Sequence, residues 1–242
     1  MTISTQRPRD AASHKESVPA TFMQRARGWL LILMVFVAGA ASLAIEFGAS
    51  RLLAADFGDS LFVWASLIGL ILLYLTIGYY VGGLVADRYP RPALLYALTL
   101  IAALLIALVP LIARPVLNWS LFTFAPLSLG IFYGSLVAVL LLFALPTILL
   151  GCVSPLAIRL RVKQVGTAGR TVGYLYAIST LGSIVGTFVP VLWLLPTIGT
   201  NLTFLVFALL VGILSLAGMI LSVLPLLRRT FVAVIAVVTK NR

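Results

Sequence analysis

The sequence is poor in the residues that most often build metal sites, disulfides and water-soluble surfaces. Its 242 residues include one cysteine, Cys152, and one histidine, His14. A single cysteine excludes an internal disulfide, and the two residues together leave no Cys/His cluster of the kind that binds a metal ion. Charged residues make up 10% of the chain, against about 25% in an average soluble domain. We therefore expect no metal, no cofactor and no ordinary soluble domain.

Apolar residues are correspondingly abundant, at 62% of the chain. A soluble domain averages about 45–50%, so most of this chain must face lipid or other buried helices. The apolar runs are continuous and reach the roughly 20 residues that a spanning helix needs. We predict an all-α integral membrane protein with six transmembrane helices. They are expected at Trp29–Ala49, Leu61–Val85, Ala93–Ala113, Leu127–Leu150, Val172–Leu195 and Leu202–Leu224.

The positive charges are unevenly distributed between the gaps that separate these runs. The formal net charge is +11, and all but two of the 17 lysines and arginines fall in the tails or in alternate connectors. The exceptions are Arg51 and Arg114, each alone in its connector. By the positive-inside bias, both termini are cytoplasmic and the chain spans the cell inner membrane. The expected acidic partner is the anionic lipid of the inner leaflet rather than nucleic acid.

The chain divides into three predicted regions. These are a disordered basic tail, a six-helix transmembrane domain and a basic C-terminal tail, over residues 1–28, 29–224 and 225–242. The stretch Phe231–Val238 is too short to span and is expected either to lie along the inner surface or to fray. Arg25, Arg27 and the small residues Ala38-Gly39-Ala40 imitate a signal peptide, but the long preceding tail and the continuing apolar run favour a spanning helix.

Three glycine pairs with GxxxG spacing lie in predicted helices 2, 4 and 5. Small residues at this spacing let helix backbones approach closely inside a bilayer. The pattern predicts packing between helices of one chain, with a subunit interface as the alternative. The pairs are Gly78/Gly82, Gly130/Gly134 and Gly182/Gly186.

The connector between helices 2 and 3 carries Gly83-x-x-x-Asp87-Arg88-x-x-Arg91, which resembles the signature loop of the major facilitator superfamily. We expect Gly83 to permit tight packing near the helix end. Asp87, Arg88 and Arg91 are then candidates for a cytoplasmic latch, a charge network that holds neighbouring helices together. The alternative is an ordinary connector with positive-inside arginines.

Four charged residues form a second group near the predicted outer side: Glu46, Arg51, Asp56 and Asp59. An ionisable group within a spanning helix is costly unless it is paired or hydrated, so Glu46 is a functional candidate. Arg51 lies about 140° around the helix from Glu46, and the two can meet only if the helix unwinds near Gly48.

Carboxylates with aromatic side chains nearby suit an organic cation, through charge pairing and cation–π attraction. We therefore treat the four charged residues as candidates for substrate binding or coupling. Simpler interpretations remain open. Asp59 or Ser60 is suited to cap the second helix, and the carboxylate of Glu46 is long enough to extend towards water.

An ordered set of residues between about 40 and 200 resembles the membrane half of bacterial fused spermidine-synthase-like proteins. The set comprises Glu46-x-x-x-Ser50-Arg51-Leu52-Leu53, Phe57-Gly58, Trp64, Gly78 through Arg88, Leu145-Pro146, Ser154-Pro155, Gly173 through Ser183 and Pro196-x-x-Gly199. Those proteins join a major-facilitator-like membrane module to a soluble aminopropyltransferase domain. The resemblance implies a half-major-facilitator-like bundle, which suggests pairing into a homodimer.

No strand–glycine-loop–helix nucleotide site and no acidic catalytic loop accompanies the predicted helices, so aminopropyltransferase activity is not expected of this chain. The resemblance implies an inner-membrane module linked to polyamine (spermidine) metabolism, acting as a transport half-unit for an organic cation. The alternative is a scaffold that binds a separately encoded aminopropyltransferase through a basic surface that includes Arg159–Arg170. An intramembrane enzyme is disfavoured because the predicted spans hold no nucleophile–base pair or metal cluster.

Overall fold

The computed structural model describes residues 22–127, 129–162 and 165–240, with side chains from residue 25 to 223 except 128 and 163–165. Within these ranges the chain forms helices and no strands, which confirms the all-α class. Short 3₁₀ and π segments at Val165–Thr167 and Pro190–Leu194 flank the sixth helix. The helices are α1 Phe22–Phe57, α2 Leu61–Arg88, α3 Pro92–Phe124, α4 Gly130–Gly151, α5 Val153–Arg161, α6 Ala168–Val189 and α7 Leu195–Lys240.

Five helical stretches in the described part of the chain are long and apolar enough to cross a membrane, as in a multi-pass membrane protein. The predicted helices 5 and 6 correspond to α6 and α7, which the π segment Pro190–Leu194 joins without a loop. They are parts of one stretch, Ala168–Val223, which is 56 residues long. The other four are Arg25–Phe57, Leu61–Arg88, Pro92–Phe124 and Gly130–Arg161.

Helices α1 and α6 run parallel and meet through glycines. Gly182 lies against the backbone carbonyl of Phe36, and Gly186 lies against that of Ala40. Between them, the hydroxyl of Ser183 donates a hydrogen bond of 3.2 Å to the carbonyl oxygen of Gly39. A side chain at either glycine would separate the two backbones, so the absence of a Cβ atom sets their distance.

The chain changes direction at Gly199, whose backbone angles (φ 79°, ψ 174°) interrupt the helical geometry. Beyond this residue, α7 runs antiparallel to α1. The ring of Phe204 packs against Gly48. Near the other end of α1, the guanidinium of Arg27 donates a hydrogen bond of 2.6 Å to the carbonyl oxygen of Leu221. The long fifth stretch therefore passes α1 twice, in opposite directions.

The other two glycine pairs also pack against neighbouring helices. Gly78 on α2 lies against the backbone of Ile148 and Gly151 on α4. Gly82 lies against Cys152 at the start of α5, and Gly134 lies against the ring of Phe57. Gly130 instead meets the carbonyl of Phe124, where α3 ends, so packing between helices is found for the pairs on α2 and α6 and for Gly134.

Gly83 does not have the predicted role in packing. A Cβ atom placed on Gly83 would meet nothing within 4 Å, whereas one on Gly82 would collide with Cys152 and Pro155. The tight-packing expectation at Gly83 was wrong because the neighbouring helix lies on the Gly82 side, a rotation of about 100° around α2.

Several helices extend beyond the predicted boundaries. Residues 22–28, predicted to belong to the disordered tail, are part of α1, and the rest of that tail lies outside the described residues. Helix α1 continues to Phe57 and α3 to Phe124, so Arg51 and Arg114 lie within helices rather than in connectors. The backbone of α7 is helical as far as Lys240, which replaces most of the predicted C-terminal tail.

Candidate functional site

One end of the bundle is rich in arginine and is joined by polar contacts between distant segments. Arg159 of α5 forms an ion pair of 3.4 Å with Asp87 of α2. Arg161 donates a hydrogen bond of 3.2 Å to the carbonyl oxygen of Gly28. The hydrogen bond from Arg27 to α7 lies at the same end. We call this region the arginine-rich end.

The predicted latch residues lie at this end but do not form the expected network. Asp87 pairs with Arg159 rather than with Arg88 or Arg91. Arg88 instead contacts Tyr89, to whose hydroxyl it donates a hydrogen bond of 3.3 Å. The side chains of Asp87 and Arg159 are 81% and 50% exposed, and such ion pairs contribute only about 0–1 kcal/mol in water. Arg159 as a partner of Asp87 was missed, and no local pattern links residues so far apart in sequence.

The opposite end separates the predicted cation-binding residues. Asp59 accepts a hydrogen bond of 2.6 Å from the indole nitrogen of Trp64. Ser60 caps α2 by accepting a hydrogen bond from the backbone nitrogen of Val63, as one of the simpler interpretations anticipated. Asp59 is therefore held beside the helix start, and its carboxylate faces an indole rather than a second acid.

Asp56 lies in a different environment, a cavity of about 440 Å³ between α1, α3 and the start of α7. Two arginines line the same cavity, Arg51 from α1 and Arg114 from α3. We call it the two-arginine cavity. Its formal charge is positive, so it does not favour an organic cation. The full lining comprises Arg51, Leu52, Ala55, Asp56, Pro110, Ala113, Arg114, Leu117, Asn118, Thr200 and Asn201.

Glu46 does not line the two-arginine cavity and does not meet Arg51. Helix α1 stays continuous through Gly48, which is packed against Phe204, so the unwinding that would join Glu46 to Arg51 is absent. Glu46 is partly buried. Among the described side chains it forms no ion pair, since the one found there joins Asp87 and Arg159, and its carboxylate accepts no hydrogen bond from them.

A small hydroxyl-rich cavity of about 60 Å³ lies between α1, α2, α6 and the junction of α4 with α5. Gly39 and Ser42 line it from α1, and Glu46 follows one turn later on the same helix face, because residues at i, i+3 and i+7 share a face. Sequence reasoning missed this cavity, whose serines come from three separate segments. Its polar lining residues are Ser42, Tyr79, Ser154, Ser179 and Ser183.

In the part of the chain that the structure describes, no three His, Cys, Asp or Glu side chains are close enough together to hold a metal ion. The described residues offer a carboxylate without a side-chain partner among them, one helical turn from a hydroxyl-lined space, together with two ends of different charge, one rich in arginine. No family model, curated protein or solved structure matches the chain, and the comparisons therefore identify no family.

Proposed function

We propose that the chain crosses the inner membrane six times with both ends on the cytoplasmic side. Two distances support this. Trp29 and Arg51 are 22 residues apart on α1, which corresponds to about 33 Å of helix, close to the roughly 30 Å thickness of the hydrocarbon core. Pro92 and Arg114 have the same separation on α3. The reversal at Gly199 provides the extra crossing that an even number requires.

Labelling of single cysteines tests the topology. With Cys152 replaced by serine, we expect cysteines at Arg91 and Lys240 to react with an impermeant maleimide on one side of the membrane. Cysteines at Asn118 and Asn201 should react only on the other side, because both residues line the two-arginine cavity at the opposite end of the bundle. Inside-out and right-side-out vesicles distinguish the sides. If positions 91 and 240 reacted from opposite sides, the even number of crossings would be wrong.

We further propose that the protein is a transport half-unit for an organic cation, with Glu46 as the residue that the cation or a coupled proton contacts. The observation that supports this most strongly is the carboxylate of Glu46, which has no partner among the described side chains. It lies five residues closer than Arg51 to the membrane interior, about 7–8 Å along the helix. An acid at such a depth is costly unless it is paired or hydrated, and a cation that binds and leaves would supply the pairing.

The hydroxyl-rich cavity supplies a polar surface for an organic cation that moves along α1. Its hydroxyls can replace part of the water shell of an ammonium group. Helix α6, which lines this cavity, buries only Leu175, Gly182 and Gly186 among its 22 residues. Tyr79 of α2 and Tyr176 of α6 are about half exposed. We propose that a second copy of the chain covers this side, which makes a homodimer the complete transporter.

A polyamine is the proposed substrate, on the basis of the sequence resemblance. Uptake of labelled spermidine into vesicles containing the purified protein tests the proposal. We expect Glu46→Gln to lower the flux by about tenfold or more, because a contact between a cation and a charged acceptor contributes roughly 1.5–3 kcal/mol. Glu46→Asp, which keeps the charge, should retain most of it. Equal flux in the Gln variant would remove Glu46 from the mechanism, and no flux in the wild-type protein would contradict transport altogether.

A membrane scaffold for a separately encoded aminopropyltransferase is the second candidate. The arginine-rich end favours it, because Arg91 and Arg170 are exposed there. Binding of such an enzyme to protein-containing vesicles, lost in Arg170→Glu but kept in Arg114→Glu at the other end, would support the scaffold. Combined with an absence of spermidine flux, that result would replace the transport proposal.

A further inference from the structure

We propose that the two-arginine cavity binds a phosphoethanolamine group, with the phosphate on Arg51 and Arg114 and the ammonium beside Asp56. The inference is independent of transport through Glu46. It requires only that this end of the bundle lies at a membrane surface. The depth of the two arginines in the membrane and the charges that line the cavity support the binding site.

The depth argument starts from the distribution of basic residues. Arg51 and Arg114 are the two arginines outside the cytoplasmic connectors and tails predicted from the sequence, yet they come from different helices and line one cavity. Each lies about 33 Å along its helix from the opposite boundary, which places both at the level of lipid phosphates. Trp119 follows the lining residue Asn118 in the sequence, and its side chain is 54% exposed. An exposed tryptophan at this level is typical of the aromatic belt at a membrane surface.

The charged and amide side chains of the cavity lack ion-pair and hydrogen-bond partners among the described residues. Neither arginine lies within ion-pair distance of Asp56, given that the one pair among the described residues is formed by Asp87 and Arg159. The side chains of Asn118 and Asn201 likewise have no hydrogen-bond partner among the described residues. These five residues line one cavity, and all are exposed, so their polar groups are open to a ligand that enters from the membrane surface.

The identity of these groups indicates the ligand. Guanidinium groups bind phosphate oxygens through paired hydrogen bonds. A single carboxylate in the same cavity suits one ammonium group, and two amides suit the ester or glycerol oxygens. A ligand with one phosphate and one primary ammonium satisfies both signs of charge, whereas a simple anion would leave Asp56 unpaired.

The remaining lining is apolar, and it decides how the ligand could be held. Leu52, Ala55, Ala113 and Leu117 line the cavity from α1 and α3. Such a wall suits the first carbons of an acyl chain, so the phosphoethanolamine is expected to come from a phospholipid. A soluble phosphoester has the same headgroup chemistry and is distinguished by experiment.

Native mass spectrometry of the purified full chain, mixed with phosphatidylethanolamine or phosphatidylglycerol, tests the proposal. We expect one bound phosphatidylethanolamine, and at least about tenfold weaker binding in the double variant Arg51→Gln, Arg114→Gln, which loses the charged hydrogen bonds to phosphate. Arg170→Gln, an equivalent change at the arginine-rich end, should bind like wild type. Asp56→Asn should weaken the binding of phosphatidylethanolamine without weakening that of phosphatidylglycerol.

The outcomes separate clearly. Equal retention of phosphatidylethanolamine by the wild-type chain and the double Gln variant would overturn the proposal. If the Gln variant fails to fold, Arg51→Lys with Arg114→Lys keeps the charge and should lose only part of the affinity. Competition by free glycerophosphoethanolamine at concentrations similar to the lipid would assign the site to a soluble phosphoester. Failure of that compound to compete would assign it to the lipid.

Discussion

Replacing Gly182 and Gly186 together by alanine is expected to destabilise the protein by about 3 kcal/mol or more. A Cβ atom at either position would collide with a backbone carbonyl of α1, that of Phe36 or that of Ala40. A backbone carbonyl in a helix cannot move aside as the end of a long side chain can, so the two helices must separate. Separation would also break the hydrogen bond from Ser183 to Gly39.

Reversible unfolding in mixed micelles, followed by circular dichroism, measures this effect. Gly173→Ala provides a matched control on the same helix, because a Cβ atom there would meet nothing within 4 Å. The control should be neutral or slightly stabilising, since alanine favours a helix over glycine by about 1 kcal/mol. If the double variant were as stable as the control, α1 and α6 would not pack in this register.

The second large effect is expected at Gly199. Its φ of 79° and ψ of 174° lie in a backbone region that is essentially restricted to glycine. Gly199→Ala should therefore cost about 1–3 kcal/mol, although a Cβ atom there would meet no neighbour. The cost is one of conformation rather than of collision, which distinguishes this position from Gly182 and Gly186.

Gly212→Ala, later in α7, is the appropriate comparison for Gly199→Ala in the same unfolding assay. Its Cβ atom would make an ordinary contact of 3.6 Å with Ala103, and its backbone is helical. We expect Gly212→Ala to be tolerated. Equal stability of the two variants would indicate that α7 does not need the reversal at Gly199.

The sequence predicted the helices and the packing glycines well, because both depend on local patterns. Apolar length identifies a spanning helix, and GxxxG spacing places Gly78 and Gly82 on one face whatever the partner. Helix ends were predicted less well. Hydropathy detects where a chain leaves lipid, but α1 continues as a helix past Arg51 to Phe57, and α3 passes Pro115 before ending at Phe124.

The candidate site depended on contacts that no local pattern contains. Asp56 was grouped with Glu46 and Asp59 because the three are close in sequence, yet the fold places it beside Arg114, on another helix. The residues predicted to form one cation site therefore lie in three places: Glu46 on α1, Asp56 in the two-arginine cavity, and Asp59 beside Trp64. Glu46 remains a candidate because the inference rests on the cost of placing an acid inside the membrane. That cost can be recognised from the sequence without knowing which residues are nearby.

The parallel pairing of α1 with α6 has a consequence for biosynthesis. The first helix leaves the ribosome long before the residues that cover it, since Gly182 and Gly186 follow Phe36 and Ala40 by 146 positions each. Until α6 has been synthesised, Ser42 and Glu46 lie in the lipid or at the translocon without their final neighbours. The pairing of α1 with α6 is therefore completed late, and a nascent chain halted before α6 would present its first helix to membrane quality control.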